Sequence, residues 1–376
     1  MEQVVSSRRL RIVTKAALEC VGDTSPTCRD SILYFYTHIL HLLRCDNQPM
    51  ELKSLKISAD LEEEEVRETA AEVVCSVEAV DLTESDVNTR NLFEKIASCG
   101  ELQLTDLTLK TIDISTIPSE LFSRTLRRIE TVNISSTQVR YTQLNQLFED
   151  LDRKEGSKLK KIDLSQNNII HLFQEKLLSF CQLDEVRLCN VFITDRTLTG
   201  IFSAVASCPQ LNLRHLDLSD NNLSRVAVDS LGRAATRLEK LGLSRTKLKP
   251  DQLEGLLRQL AGPHSRLRSL DLSHSRLSSV LPQMLSNVIC NLEEANLYNT
   301  RLSPDQARTL FSHINGAGPT HLKCLNVSGT DLSSLSLDSL QEAVMRLEQL
   351  EMTSCRLNLH HVLALDLRDF AQNYLK

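Results

Sequence analysis

Apolar residues return at a fixed spacing along most of the chain. In residues 213–223, leucines stand at the first, fourth, sixth and eleventh positions, and an asparagine stands at the ninth. The first, fourth and sixth positions of this pattern recur at eleven other points. The twelve first positions are Leu52, Val77, Leu104, Ile129, Leu159, Leu183, Leu213, Leu238, Leu267, Leu292, Leu322 and Leu347. This pattern predicts twelve structural repeats.

Short and long repeats alternate. The steps between first positions are 25, 27, 25, 30, 24, 30, 25, 29, 25, 30 and 25 residues. The larger unit is therefore a pair of about 54 residues, which predicts six short/long pairs.

Each repeat begins with a predicted strand and continues as a helix. Alternation around positions 1–6 predicts a short parallel strand, with positions 3, 5 and 7 facing away from the core. Ser303, Pro304 and Asp305 then supply an N-cap, a proline in the first turn and an acid near the positive helix end. Longer helices are expected in the long repeats.

The strand motif Leu267-Arg-Ser-Leu-Asp-Leu-Ser and the helical second halves resemble the ribonuclease-inhibitor-like class of leucine-rich repeat proteins. The resemblance covers about residues 52–376. It implies an α/β solenoid, a right-handed horseshoe with a parallel concave sheet and convex helices. The class includes inhibitors, innate-immune sensor domains, GTPase-activating proteins and ubiquitin-ligase receptors, so the fold alone implies no single function. The chain departs from the inhibitors in its shorter short repeats, fewer cysteines and lack of Trp.

Two segments are predicted. Residues 1–51 are read as a helical N-terminal cap that covers the apolar end of the first repeat, as solenoids need. The alternative is a docking module, for instance a ubiquitin-ligase adaptor. Residues 52–376 are read as one continuous leucine-rich repeat array.

Composition narrows the cell compartment and the partner class. Aromatic residues make up 4 % of the chain, which favours a core of stacked leucines, and the net charge of −6 provides no basic footprint for nucleic acid. The apolar run at residues 31–44 is too short to span a bilayer. The 11 cysteines never form CxxC, and the N-terminus shows no apolar signal core. We therefore expect a reduced, cytoplasmic protein that engages neither nucleic acid nor membrane.

Motifs for chemistry are missing from the sequence. It contains no GxxxxGK, GxSxG or HExxH. Carboxylates at one position of alternate strands would stand about 9–10 Å apart, too far to share a metal ion. We expect no catalytic residues, no metal and no cofactor, and hence a protein that is not an enzyme.

The predicted concave face is the candidate binding surface. Positions 3, 5 and 7 carry eight acids and five bases. The residues expected in or near a contact with a protein partner are Asp163, Glu185, Arg187, Asp217, Asp271 and Tyr298. An alternative for the Asp column is that duplication copied a polar strand position that has no binding role. The competing surface is the convex ridge of helices, including Arg258 and His313.

These observations favour a non-catalytic protein–protein interaction scaffold or recognition receptor whose partner is a protein of unknown identity. The alternatives are the substrate-recognition subunit of a ubiquitin-ligase complex, or a GTPase-activating or inhibitor-type regulator. Position 2 alternates in charge along the array, for example Arg214, Glu239, Arg268 and Glu293. We read that alternation as an aid to strand register.

Overall fold

The structure is a computed structural model that describes residues 54–56, 74–84, 88–153, 156–172, 174–316 and 320–358. The predicted N-terminal cap, residues 1–51, lies outside these ranges. The described residues fall into two compact units divided after Leu172, and each unit is described by itself.

The first unit contains five parallel strands among its described residues. They are β1 (Ser54–Lys56), β2 (Ala79–Asp81), β3 (Asp106–Thr108), β4 (Thr131–Asn133) and β5 (Lys161–Asp163). Each strand pairs in register with the next. A 3₁₀ helix at Val74–Ser76 precedes β2, and three α-helices follow strands: α1 (Thr89–Ser98), α2 (Ser119–Leu126) and α3 (Tyr141–Asp152).

The second unit opens with a 3₁₀ helix at Gln174–Gln182 and repeats the same alternation. Its strands, paired parallel and in register with their neighbours, are β6 (Glu185–Arg187), β7 (His215–Asp217), β8 (Lys240–Gly242), β9 (Ser269–Asp271), β10 (Glu294–Asn296), β11 (Cys324–Asn326) and β12 (Gln349–Glu351). Its α-helices are α4 (Asp195–Ser207), α5 (Val228–Ala235), α6 (Pro250–Leu260), α7 (Pro282–Cys290), α8 (Pro304–Asn315) and α9 (Leu337–Arg346).

Every strand occupies positions 3–5 of a predicted repeat, so the predicted parallel α/β fold is confirmed. Leu159, Ile162 and Leu164, at positions 1, 4 and 6 of one repeat, are all buried. Successive helices of each unit pack side by side. The core is mostly leucine, but it also buries large rings, since Phe93, Phe122, Phe148, Phe180, Phe202 and Phe311 are fully buried.

Helix length follows repeat length. α-Helices of the long repeats have 10 to 13 residues, and those of the short repeats have 8 to 10. The repeat that begins at Leu159 has the shortest step and forms the 3₁₀ helix Gln174–Gln182 instead of an α-helix. A 3₁₀ helix rises about 2.0 Å per residue against about 1.5 Å in an α-helix, so fewer residues span the same distance.

A left-handed residue stands three positions after the end of each strand from β2 to β12. Position 8 has φ between 51° and 75° in all eleven repeats where it is described. These residues are Glu84, Thr111, Ser136, Gln166, Asn190, Asp220, Arg245, His274, Asn299, Gly329 and Ser354. Side chains other than glycine disfavour this conformation, so the turn is held by its surroundings.

Buried amides and hydroxyls satisfy the backbone next to that turn. The Asn221 amide, at position 9, donates to Leu188 O at 2.6 Å and to Leu218 O at 2.9 Å. Asn167 makes the equivalent bonds. Thr246 and Thr300 occupy position 9 of other repeats, and each hydroxyl donates to a carbonyl three residues earlier. Both residue types supply the donors that buried carbonyls require.

A buried glutamine joins each of three long repeats to the preceding repeat. Gln252 Nε2 donates to Leu223 O at 2.9 Å and to Val226 O at 2.7 Å, while its Oε1 accepts from Lys249 N at 2.9 Å. Gln143 and Gln306 make the same three contacts in their own repeats. One side chain thereby begins its own helix and binds two carbonyls of its neighbour.

Arginines close the carboxyl ends of long-repeat helices. The Arg237 guanidinium donates to Val205 O, Ala206 O and Cys208 O at 2.6–3.0 Å. Arg128 and Arg346 occupy the corresponding sites on α1 and α8. These donors satisfy carbonyls that lack helical partners and oppose the negative end of the helix dipole.

The charge alternation at position 2 forms ion pairs between neighbouring strands. Glu293 lies 3.4 Å from Arg268 and 3.5 Å from Lys323, and Glu239 lies 3.7 Å from Arg214. Lys160 pairs with Glu130 at 2.9 Å in the first unit. Opposite charges at position 2 therefore pair between neighbouring strands at these positions, and their role as an aid to strand register stays a prediction.

Candidate functional site

All six residues predicted to bind a partner lie on the sheet face, which we define as the side chains at positions 3, 5 and 7. Asp163 lies on the first unit, and the other five lie on the second. Asp163, Asp217 and Asp271 are half-buried, whereas Arg187 and Tyr298 are exposed. Their role in binding stays a prediction.

The Asp column has a structural task that the spacing did not reveal. Oδ1 accepts the backbone N–H two residues later in each case: Ser165 N at 2.9 Å, Ser219 N at 3.0 Å and Ser273 N at 2.7 Å. Asn133, Asn296 and Asn326 do the same at position 5 of other repeats. This Asx turn starts the left-handed turn at position 8. This structural role accounts for the polar residue at position 5 independently of any binding role.

Asp217 also explains a glycine on the next strand. A Cβ added at Gly242 would overlap Asp217 Oδ1 and lie 2.7 Å from Asp217 Cγ. The Asp217 carboxylate therefore lies over β8, in space that any other residue would fill.

Glu185 and Arg187 form a local cluster with His215. Arg187 Nε donates to Glu185 Oε1 at 2.7 Å, and His215 Nδ1 lies 3.5 Å from Glu185 Oε2. The cluster holds the arginine against its own strand.

Tyr298 belongs to a polar network at the ends of the strands. Its ring packs edge-on against His274 with centroids 4.9 Å apart. Asn299 Nδ2 lies 3.1 Å from His274 Nδ1, and Arg245 Nη2 lies 3.3 Å from His274 Nε2. The network orients Tyr298 beside the sheet face.

A depression of about 390 Å³ lies on the sheet face across β9–β12. It is lined by Ser269, Asp271, Glu294, Asn296, Cys324, Asn326, Gln349 and Glu351, together with the position-4 residues Leu270, Ala295 and Leu325. Its lining contains three carboxylates and no basic side chain. The depression is therefore the most acidic part of the sheet face that the structure describes.

Two side chains of the depression, Glu294 and Cys324, have shifted pKa values. A hydrogen bond from Ser269, followed by the nearby Lys240, lowers the pKa of Glu294. Burial, followed by the Glu294 carboxylate, raises the pKa of the Cys324 thiol. Glu294 therefore stays ionised, and Cys324 stays a neutral thiol.

Only Asp271 of this lining was among the predicted site residues. The signal for the rest was available: after Lys240, positions 3, 5 and 7 contain no Lys or Arg up to Thr353. Repeat spacing does not show where the surface of the sheet is depressed. The sequence therefore did not distinguish the residues that line the depression from the rest of the sheet face.

The described cysteines are free thiols, and several are buried. Burial, followed by a hydrogen bond with Cys208, raises the pKa of Cys181 to about 12. Burial raises the pKa of Cys290 to about 11. These thiols remain protonated at neutral pH and pack as small apolar groups.

Neither a metal-binding cluster nor a membrane-spanning helix occurs among the described residues. No group of three or more His, Cys, Asp or Glu side chains there could hold a metal ion. No helix there is both long and apolar enough to cross a bilayer.

Comparison with known proteins agrees with the repeat architecture. The family model described as Leucine Rich Repeat matches residues 212–234 and 266–288. Leucine-rich repeat-containing protein 14 of Bos taurus is 28 % identical over 214 residues, which cover 52 % of this chain and 43 % of that protein. Capping protein, Arp2/3 and myosin-I linker protein 2 of Mus musculus is 34 % identical over 110 residues, covering 27 % and 8 %. The chain thus spans less than half the length of these relatives.

A solved structure shows the same fold. The crystal structure of the leucine-rich repeat-containing protein LegL7 from Legionella pneumophila superposes with a TM-score of 0.50 at 14 % identity, covering 78 % of this chain and 98 % of that one. Repeat spacing, parallel strands alternating with helices and the family match agree. The chain has a leucine-rich repeat fold.

Proposed function

We propose that this protein is a non-catalytic scaffold or recognition receptor that binds a protein partner through its sheet face, which we take to be the concave face. Leucine-rich repeat proteins generally mediate protein–protein interaction. The alternation of long and short repeats, with α-helices in nearly all described second halves, supports assignment to the ribonuclease-inhibitor-like class.

The observation that carries the proposal is the fixed polar surface at position 5. Asp217, Asp271 and Asn296 are held by hydrogen bonds to their own turns, yet none of them fills the core. Binding to such a surface orders few side chains, so little conformational entropy is lost.

The alternatives have less support among the described residues. A GTPase-activating protein inserts a free arginine into its partner's site, but the Arg187 guanidinium is bound to Glu185. The segment that would dock a ubiquitin-ligase core, residues 1–51, lies outside the described residues. Free, partly buried cysteines support a reducing, cytoplasmic setting as part of the proposal.

The test compares partner capture by two double variants. Asp217→Asn with Asp271→Asn removes two charges and keeps the Asx turn, because asparagine forms this turn in other repeats. Arg258→Gln with His313→Gln alters the helix side as a matched control. We expect folded sheet-face variants to lose captured partner as salt-sensitive attraction weakens. Unchanged capture there, with loss in the helix variant, would show that the wrong face was chosen.

A further inference from the structure

The position-5 row across β9–β12 carries a carboxylate at each end. Asp271, Asn296, Asn326 and Glu351 stand in register on adjacent strands. Asn296 Nδ2 donates to Asp271 Oδ2 at 3.0 Å, and Asn326 Nδ2 donates to Glu351 Oε2 at 2.6 Å. The row therefore presents its two carboxylates in fixed orientations.

The basic side chains of the described residues do not neutralise these two carboxylates. Among the ion pairs of the described residues, none includes Asp271 or Glu351, and the third carboxylate of the depression, Glu294, reaches Lys240 at 3.4 Å. That pair is about half exposed at both ends and is worth little. Carboxylates in a concave surface concentrate negative potential, which attracts a cationic ligand.

We propose that this depression binds an extended segment of a protein partner that carries two basic side chains four residues apart. The inference rests on the proposed function and specifies the partner for the same face. One basic side chain meets Asp271, and the other meets Glu351.

Strand spacing gives the four-residue separation. Asp271 and Glu351 lie three strands apart, and in-register strands stand about 4.8 Å from each other, so the two positions are about 14 Å apart. An extended chain rises about 3.3 Å per residue and points alternate side chains to the same side. Residues four apart are thus about 13 Å apart on one side, whereas residues three apart point to opposite sides.

Other cationic ligands match the row less well. No group of described His, Cys, Asp and Glu side chains is compact enough to hold a metal ion. A small polyamine could neutralise the charge, but it would not distinguish between spacings fixed by a backbone. Nucleic acid would be repelled by three carboxylates.

The experiment measures binding of two synthetic peptides by fluorescence anisotropy. Both contain two arginines among serine, threonine and valine, at equal composition and charge, with the arginines four apart in one and three apart in the other. The full chain should bind the four-apart peptide more tightly. The variant Asp271→Asn, Glu351→Gln should bind it about five- to twentyfold more weakly, because it loses two exposed ion pairs with the peptide.

Asp81→Asn is the matched control. Asp81 is a position-5 carboxylate that accepts the same turn hydrogen bond, but it lies outside the depression and is not among the six predicted contact residues. It should retain the peptide preference. Circular dichroism melting curves confirm that each variant is folded before binding is compared.

Thiol footprinting locates the bound peptide. Cys324 lines the depression, whereas Cys189, at position 7 of the repeat beginning at Leu183, lies outside it. The four-apart peptide should slow alkylation of Cys324 by iodoacetamide, read by peptide mass spectrometry, and should leave Cys189 unchanged.

Equal affinity for both peptides, or equal competition by spermine against each, would overturn the inference. So would unchanged labelling of Cys324 at saturating peptide. If the peptides fail while the Asp217→Asn, Asp271→Asn variant still loses its captured partner, the inference fails and the proposed function stands. If the peptides fail and the Asp217→Asn, Asp271→Asn variant also keeps its captured partner, both the inference and the proposed function are wrong.

Discussion

Replacing Gln252 with leucine should weaken the contact between two neighbouring repeats, because it removes hydrogen bonds between them and keeps the side-chain volume similar. The substitution removes the hydrogen bonds that Gln252 Nε2 donates to Leu223 O and Val226 O, and the one that Gln252 Oε1 accepts from Lys249 N. Leu223 O keeps a hydrogen bond from Val226 N at 3.0 Å. Val226 O and Lys249 N are the two groups that lose most.

The expected cost follows mainly from Val226 O, because Val226 is buried whereas Lys249 is exposed to water. A buried polar group left without a partner costs about 1–3 kcal/mol, so Gln252→Leu should lower the free energy of unfolding by about 1–3 kcal/mol. Gln259→Leu is the control, because Gln259 lies exposed on the same helix, α6. Surface substitutions of this kind usually change stability by less than about 0.5 kcal/mol.

The assay is urea unfolding followed by circular dichroism, with coincidence of a second probe required because repeat arrays need not unfold in two states. Hydrogen exchange of residues 223–231 should accelerate in Gln252→Leu and stay unchanged in Gln259→Leu. Equal stability and equal exchange in the two variants would refute the reasoning, because the glutamine would then add nothing that leucine packing does not replace.

Three further predictions concern other parts of the fold. Gly329→Ala should lower the free energy of unfolding by about 1–2 kcal/mol, because Gly329 has φ of 75° and an added Cβ meets nothing closer than 3.6 Å; thermal melting measures it, and no loss would mean that the left-handed turn carries no strain. Glu293→Lys should lower the melting temperature, and less so at high salt, because Glu293 lies near both Arg268 and Lys323; a loss independent of salt would indicate a packing defect. For Cys290, the folded pKa of about 11 exceeds the ordinary value of 9.0, so its contribution to stability is fully present below pH 9.0 and is lost as pH rises through the folded pKa of about 11; Cys290→Ala should show a shallower fall in unfolding free energy over this window, and an identical slope would contradict that assignment.

The candidate site shows how far repeat spacing reaches. Spacing placed Asp163, Asp217, Asp271 and Tyr298 on the sheet face, because strand alternation leaves positions 5 and 7 outside the core. It did not reveal that the Asp column forms Asx turns, because that contact depends on side-chain rotamers. It also did not separate the depression from the rest of the face.

The sequence by itself determined the repeat, the strand positions and the core. Apolar residues at positions 1, 4 and 6 can be buried together in only one register, so twelve local patterns predict one architecture. The buried glutamines and capping arginines were missed, although Gln143, Gln252 and Gln306 share one helical position. Each is a polar residue whose partners lie in the preceding repeat.

Tertiary structure alone decided where the charge of the sheet face is uncompensated. Lys240 reaches Glu294 across 54 positions of sequence because the side chain between them, Ser269, is short. Asp271 and Glu351 come to opposite ends of one row because three strand pairings stay in register. The pattern within one repeat indicates which of its residues are buried and which are exposed. Ion pairs and cavities depend instead on distances between repeats, which only the folded chain defines.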